Sequence, residues 1–218
     1  YAARVMLGET LEQLGYLEEV IPPYVSVKEA VFPFTKFREF DPILGPEMRS
    51  TGEVMGIADS FGAAFAKAQL AAGNGLPLEG TVMMTVNDHD KPSMAAIARR
   101  FHAMGFRLKA TTGTARYLRE LGVPCEPVKK VSEGRPHGID LLVNGDVQLL
   151  INTPLGKRSQ KDDYSLRQAA ITQRVPYTTT LSAANAACDA ILSLRNRQQS
   201  VRSVQEWLGD IRTTEERQ

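Results

Sequence analysis

From Gly80 to Arg195 the chain alternates short β-branched runs with helical patterns, and this alternation constrains its fold more than any other feature. A strand at 81–86 (Thr-Val-Met-Met-Thr-Val) leads to a helix from Pro92 to Met104, closed by Gly105. A strand at 106–110 leads to a helix from Gly113 to Leu121, closed by Gly122, and a short strand near 126–131 leads to a helical turn at 138–143. The strand Val-Gln-Leu-Leu-Ile at 147–151 precedes a helix from Asp163 to Gln173, and Tyr177–Thr180 precedes the Ala-rich helix 182–195. Strands that alternate with helices pair in parallel, and the crossovers bury both faces of the sheet. The expectation is an α/β domain with a doubly wound parallel sheet, and Met83 and Met84 belong to its core.

The N-terminal third has no such regularity. Apolar residues at Val5, Leu7, Leu11 and Leu14 predict a helix over 2–14, ended by Gly15. Residues 24–34 hold one strand, the run from Asp41 to Gly56 has neither a helical nor a strand period, and Asp59 or Ser60 starts a helix that stops at Gly73. One strand and two helices are too little apolar surface for an independent core. Residues 1–73 therefore read as the end of a domain that begins upstream, residues 74–79 as a linker, and residues 80–218 as the α/β domain with a C-terminal amphipathic helix over 196–218. The start of the chain reads as internal to a longer polypeptide.

The charge balance of 26 Lys plus Arg against 25 Asp plus Glu leaves a net +1, which argues against a general electrostatic grip on nucleic acid or an anionic membrane. No apolar run approaches the roughly 20 residues of a membrane span. Cys125 and Cys188 have neither disulfide-framework nor zinc spacing, so a reducing, cytoplasmic setting is expected. His89, His102 and His137 have no metal spacing, and no catalytic triad is evident. Most of Lys161-Asp162-Asp163 and Arg195-Asn196-Arg197 reads as solvated helix surface.

In an open α/β sheet a ligand binds at the carboxyl ends of the strands. Those positions hold Thr85 and Lys91, Thr111-Thr112-Gly113-Thr114, Lys129 and Lys130, and Asn152-Thr153 followed by Pro154 to Arg158. Hydroxyls and cations converge there, and carboxylates are scarce apart from Asp88 and Asp90. The Thr-Thr-Gly-Thr turn between strand and helix offers hydroxyls and backbone N–H groups to one side. Such a helix N-terminus favours an anion by about 0.3–1 kcal/mol. An alternative stays open, in which Thr111 and Thr114 only cap the helix. Neither a P-loop nor a G-x-G-x-x-G turn is present.

Several segments resemble the carbamoyl-phosphate synthase large subunit. Val20-Ile21-Pro22-Pro23-Tyr24, Val27-Lys28-Glu29 and Pro33-Phe34 to Lys36-Phe37 are similar to the end of its second ATP-grasp half, and Asp41 to Gly56 is the most specific stretch. Thr111-Thr112-Gly113-Thr114, Glu133-Gly134-Arg135-Pro136 and Ile151-Asn152-Thr153 fall where that subunit carries a regulatory domain of methylglyoxal-synthase-like fold. The resemblance implies an allosteric portion without catalytic or metal-binding residues of its own. The ATP and the Mg or Mn of the family are held upstream. It further implies a nucleotide monophosphate, UMP in preference to IMP, at Thr85, Lys91, Thr111, Thr114, Lys130 and Asn152. Pro154 stands where some members carry a hydroxyl, which disfavours the purine. Ornithine is implied at Glu29, Tyr177 and Thr179. The implied partners are the rest of the large subunit and the small glutaminase subunit, in an oligomer of heterodimers that serves pyrimidine and arginine synthesis. A second reading, a methylglyoxal-synthase-like lyase with Asp140 as its base, fits the turn. It fits neither the Gly138-Ile139-Asp140-Leu141 run nor the N-terminal 73 residues. A purine-pathway cyclohydrolase domain on the same fold fails on the N-terminal ground as well.

Overall fold

The computed structural model describes residues 1–32, 50–153, 160–196 and 200–215, which form parts of two compact units. The smaller is Tyr1–Tyr24 with Val201–Gln218, and the larger is Val25–Ser200.

In the smaller unit α1 covers only Ala2–Met6, where the apolar spacing predicts a helix to residue 14. Gly8, at φ +101°, takes the left-handed position that ends a helix, and the Glu9 N–H closes back on the Arg4 carbonyl. A single new turn then starts at Thr10, whose hydroxyl accepts from the Gln13 N–H while Gln13 accepts from the Thr10 N–H. A stop and a restart are thus both written in the sequence. The C-terminal helix α8 (Val204–Glu215) is shorter than the 196–218 expected. Ser203 and Glu206 form its capping box, which sets the start. Trp207, 4% exposed, packs on Tyr24 at 5.3 Å between ring centroids, and the Arg202 guanidinium lies over its indole at 4.1 Å.

The larger unit opens with an antiparallel pair, β1 (Val25–Val31) and β2 (Gly52–Ala58), in the register Val25↔Ala58 to Val31↔Gly52. β2 corrects the reading of residues 41–56 as lacking a strand period. Its inward positions are Val54, Gly56 and Ala58, so glycine occupies the middle inward place and erases the apolar alternation. The glycine is required by close approach: a Cβ at position 56 would stand 2.0 Å from the Ala64 carbonyl oxygen of α2 (Phe61–Ala71). The part of the 41–56 run before Ser50, with Pro33 to Phe40, lies outside the described residues.

The five-stranded sheet is parallel throughout, in the order β5-β4-β3-β6-β7. The strands are β3 (Thr81–Val86), β4 (Arg107–Thr111), β5 (Glu126–Val128), β6 (Leu149–Thr153) and β7 (Tyr177–Thr178). The helices are α3 (Lys91–Ala103), α4 (Thr112–Glu120), α5 (Gly138–Val143), α6 (Gln160–Thr172) and α7 (Leu181–Asn196). The doubly wound sheet read from the alternation is thus present. Val82, Met84 and Val86 face α3, α4 and α7, and Met83 faces Leu142 of α5 and Leu166 of α6. Both methionines are fully buried. β6 runs from 149 to 153, two residues later than expected, which draws Asn152 and Thr153 into the strand. Arg195 is not merely solvated surface. It donates to the Leu78 carbonyl and, at 2.5 Å, to that of Met104, and lies over the Phe106 ring at 5.2 Å.

Candidate functional site

The chain leaves β3 toward β4 on one side and returns to pair β6 on the other. The crossovers diverge at the carboxyl ends of these two strands, the position where open α/β sheets leave a crevice. A cleft of about 590 Å³ lies there, and Thr85, Thr111, Lys129, Lys130, Ser132, Thr153, Asp162 and Asp163 are among the residues that line it.

Thr111, Lys129 and Lys130 gather at one end of the cleft. α4 begins directly after Thr111, so the first N–H groups of the Thr-Thr-Gly-Thr turn stand at the carboxyl edge of the sheet. Thr111 sits at the N-cap position without a side-chain cap bond, and its hydroxyl donates to Thr114 Oγ1 at 3.3 Å. Simple capping by Thr111 is therefore not what this structure uses. Lys91, at the start of α3, reaches over the turn, close enough that a Cβ on Gly113 would come within 3.4 Å of its Nζ. The Lys91 ammonium pairs with Asp88 at 2.5 Å. That hydrogen bond and the Lys91 charge, with a smaller contribution from Lys130, hold the Asp88 carboxyl below the ordinary carboxylate range. Both lysines thus act on Asp88, whose side chain is 94% exposed.

Of the predicted effector residues Thr85, Thr111 and Lys130 line the cleft, whereas Lys91, Thr114 and Asn152 are not among its lining residues. Behind Thr85 and Asp163 lies a buried polar group. The Asn152 amide, fully buried, donates to Thr85 Oγ1 and to Asp163 Oδ1, each at 2.7 Å. Asp163, 7% exposed in the first turn of α6, corrects its reading as solvated surface. Ser132 donates to Asp162 at 2.9 Å beside it. Asp163 was missed because an acidic residue at a helix start reads locally as a solvated dipole partner. Pro154 to Arg158 lie outside the described residues.

The three residues assigned to ornithine lie on separate elements. Glu29 is half-buried on β1 and bonds Gln69 of α2, and burial pushes its carboxyl up, with Gln69 opposing. Tyr177, on edge strand β7, packs on the core layer beneath α6, and burial pushes its phenol up. Thr179 stands between β7 and α7. Among the described residues no hydrogen bond joins Glu29 to either of the other two.

Asp140 accepts from the His137 N–H at 2.9 Å and pairs with Arg135 at 3.3 Å, so its carboxylate is engaged by its own loop. Burial pushes the Cys125 thiol up to about 11 and that of Cys188 up to about 12, which leaves neither a ready nucleophile. Among the described residues no cluster of His, Cys, Asp and Glu could hold a metal, and no helix is long and apolar enough to cross a membrane.

Comparison with known proteins adds the following. Residues 93–179 match the MGS-like domain family. A carbamoyl phosphate synthase large chain from Gemmatimonas aurantiaca is 66% identical over 206 residues, covering 94% of this chain and 19% of the relative. An arginine-specific, chloroplastic carbamoyl phosphate synthase large chain from Oryza sativa is 50% identical over 208 residues, covering 95% of this chain and 18% of the relative. The chain thus spans about a fifth of the length of the relatives it matches. The crystal structure of methylglyoxal synthase from Elizabethkingia anophelis superposes with a TM-score of 0.45 at 16% identity, covering 61% of this chain and 92% of that one.

Proposed function

Because this chain belongs to the carbamoyl phosphate synthase large-chain family, we propose that it is the allosteric regulatory portion of such a chain, preceded by the end of its second ATP-grasp half. In this reading residues 1–73 close the synthetic domain, 74–79 connect, and 80–218 receive the effector. The residues bind a ligand and perform no bond-making step. Carbamoyl phosphate synthesis from bicarbonate, glutamine-derived ammonia and ATP, with Mg or Mn, takes place in the upstream part of the cytoplasmic enzyme. The small glutaminase subunit and an oligomer of heterodimers complete that enzyme.

One observation supports the reading: Thr111 and Lys130 line the cleft, and Lys91 lies over the Thr111–Thr114 turn beside it. An entering phosphate displaces Asp88 from Lys91, accepts from the Thr111 and Thr114 hydroxyls, and lies against the first N–H groups of α4. Hydrogen bonds to a charged partner contribute roughly 1.5–3 kcal/mol each, so three or four supply about 4.5–12 kcal/mol toward the cost of association. UMP is the preferred nucleotide and IMP the weaker one, given Pro154. Ornithine is assigned to Glu29, Tyr177 and Thr179, where a half-buried carboxylate suits an ammonium group. Titrating the full-length chain with UMP, IMP and ornithine by calorimetry tests this. UMP binding lost in Lys91→Met and Lys130→Met supports the cleft. Unchanged UMP affinity in both variants excludes it.

A further inference from the structure

The loop between β3 and α3 carries two acids, Asp88 and Asp90, and holds them differently. A carboxylate only accepts hydrogen bonds, so the Asn87 atom 2.6 Å from Asp90 Oδ2 is its nitrogen, which also donates to Thr153 Oγ1 of β6 at 3.2 Å. Asn87 Oδ1 in turn accepts from the Asp90 N–H at 2.9 Å. These bonds pin the loop on both sides of Asp88, tie it to the end of β6, and occupy Asp90. Asp88 is left to line the cleft, and its carboxylate meets the Lys91 ammonium at 2.5 Å. Lys91 has little freedom to avoid it, since its side chain is 17% exposed and its Nζ stands over Gly113 of the turn. Asp162, another acid of the cleft lining, accepts instead from Ser132 at 2.9 Å.

We propose that Asp88 is an autoinhibitory competitor built into the cleft: its carboxylate occupies the Lys91 ammonium that a phosphate needs, and so sets how much ligand is required to fill the site. This rests on the nucleotide reading above, and it adds a residue that opposes binding to those that promote it. The electrostatics agree. Lys91, and to a smaller extent Lys130, hold the Asp88 carboxyl below the ordinary range, so it is ionised at neutral pH and draws on both cations. A pair with one exposed partner is screened by water and exchanges readily, which is what a displaceable counter-ion requires. A phosphomonoester carrying close to two charges at neutral pH replaces a carboxylate that carries one. The antagonism outlasts the exchange. The pinned loop keeps the displaced carboxylate beside the bound anion, where like charges repel. The opposite role, in which Asp88 orients Lys91 toward the turn and so assists binding, predicts an effect of the opposite sign.

The test titrates the full-length chain with UMP and with inorganic phosphate by calorimetry, for the wild type, Asp88→Asn and Asp162→Asn. Asp88→Asn keeps the size of a side chain that is 94% exposed, so the fold is left as it is. It should tighten both ligands by about fivefold, the factor that one unit charge at roughly 4 Å exerts in water. Asp162→Asn should change both by less than about twofold. An unchanged affinity for either ligand in Asp88→Asn overturns the proposal. A weaker one overturns it as well, since Asp88 then serves to hold Lys91 in place. An equal gain in Asp162→Asn means that the cleft responds to charge in general, and the assignment to Asp88 falls. Failure of UMP and phosphate to bind the wild type and Asp88→Asn alike overturns the nucleotide reading itself, and this proposal with it.

Discussion

Thr114 is 1% exposed and accepts a hydrogen bond from Thr111, and valine has the same branched shape without the hydroxyl. Thr114→Val should weaken UMP by roughly 1.5–3 kcal/mol in a calorimetric titration. An unaltered affinity would take the turn out of the site. Glu29 supplies a prediction in pH. Its folded carboxyl titrates above the ordinary value of 4.5 because burial disfavours the charged form. A raised carboxyl pKa favours the folded state while the group is protonated. Its contribution is fully present below the unfolded value and is lost as the pH rises through the folded one. Glu29→Gln removes that loss. The melting temperature of the variant minus that of the wild type should therefore increase between about pH 4 and about pH 7. Solvent screening at this half-exposed position keeps the effect under about 1 kcal/mol. Legibility is uneven at this scale. The place of Thr111 and Lys130 at the strand ends, where they line the cleft, follows from the strand–helix alternation. Asp163 was not readable, since nothing in Lys161-Asp162-Asp163 distinguishes the acid that turns inward from the one that stays outside.

β2 and α2 meet closely, and they do so through Gly56. A Cβ there would lie 2.0 Å from the Ala64 oxygen and 2.6 Å from the Ala68 nitrogen, both backbone atoms that cannot rotate away. Gly56→Ala should destabilise the larger unit by about 3 kcal/mol or more, read as a lower denaturant midpoint at unchanged slope. A midpoint within error of the wild type would mean that β2 and α2 are not packed in this way. The helices of the sheet domain were readable because their stops lie in the sequence: Gly105 and Gly122 follow α3 and α4 at positive φ. Gly8 carried the same signal in α1 and was overridden by the apolar spacing of Leu11 and Leu14. β2 had no comparable signal, because its middle inward residue is a glycine.

At the scale of the whole molecule the proposed function is a coupling between sites. Coupling free energies of about 1–3 kcal/mol are typical, and each ligand must bind two states unequally. In the full-length enzyme Glu29→Gln should blunt activation by ornithine and leave inhibition by UMP largely in place. Survival of both responses, or loss of both together, would overturn the assignment of two separate sites. Residues 1–218 alone should form no methylglyoxal from dihydroxyacetone phosphate, since the Asp140 carboxylate is held by Arg135 and by the His137 N–H. Steady turnover that Asp140→Asn abolishes would transfer the chain to the lyase reading.

Local periodicity was enough to determine the α/β alternation, the parallel sheet and the edge on which a ligand would sit. Strand and helix periods and glycine stops act over a few neighbouring residues, and the carboxyl-end rule follows from the connectivity they imply. Three things were decided only by tertiary structure: the strand β2, the burial of Asp163 against Asn152, and the hold of Arg195 on Leu78 and Met104. Each depends on a partner in another element, and each is carried by a residue whose own type points the other way: a glycine that pairs in a strand, an acid that is buried, and an arginine that clamps carbonyls. Burial is a property of what packs on a residue, and the chain acquires it only when the elements have met.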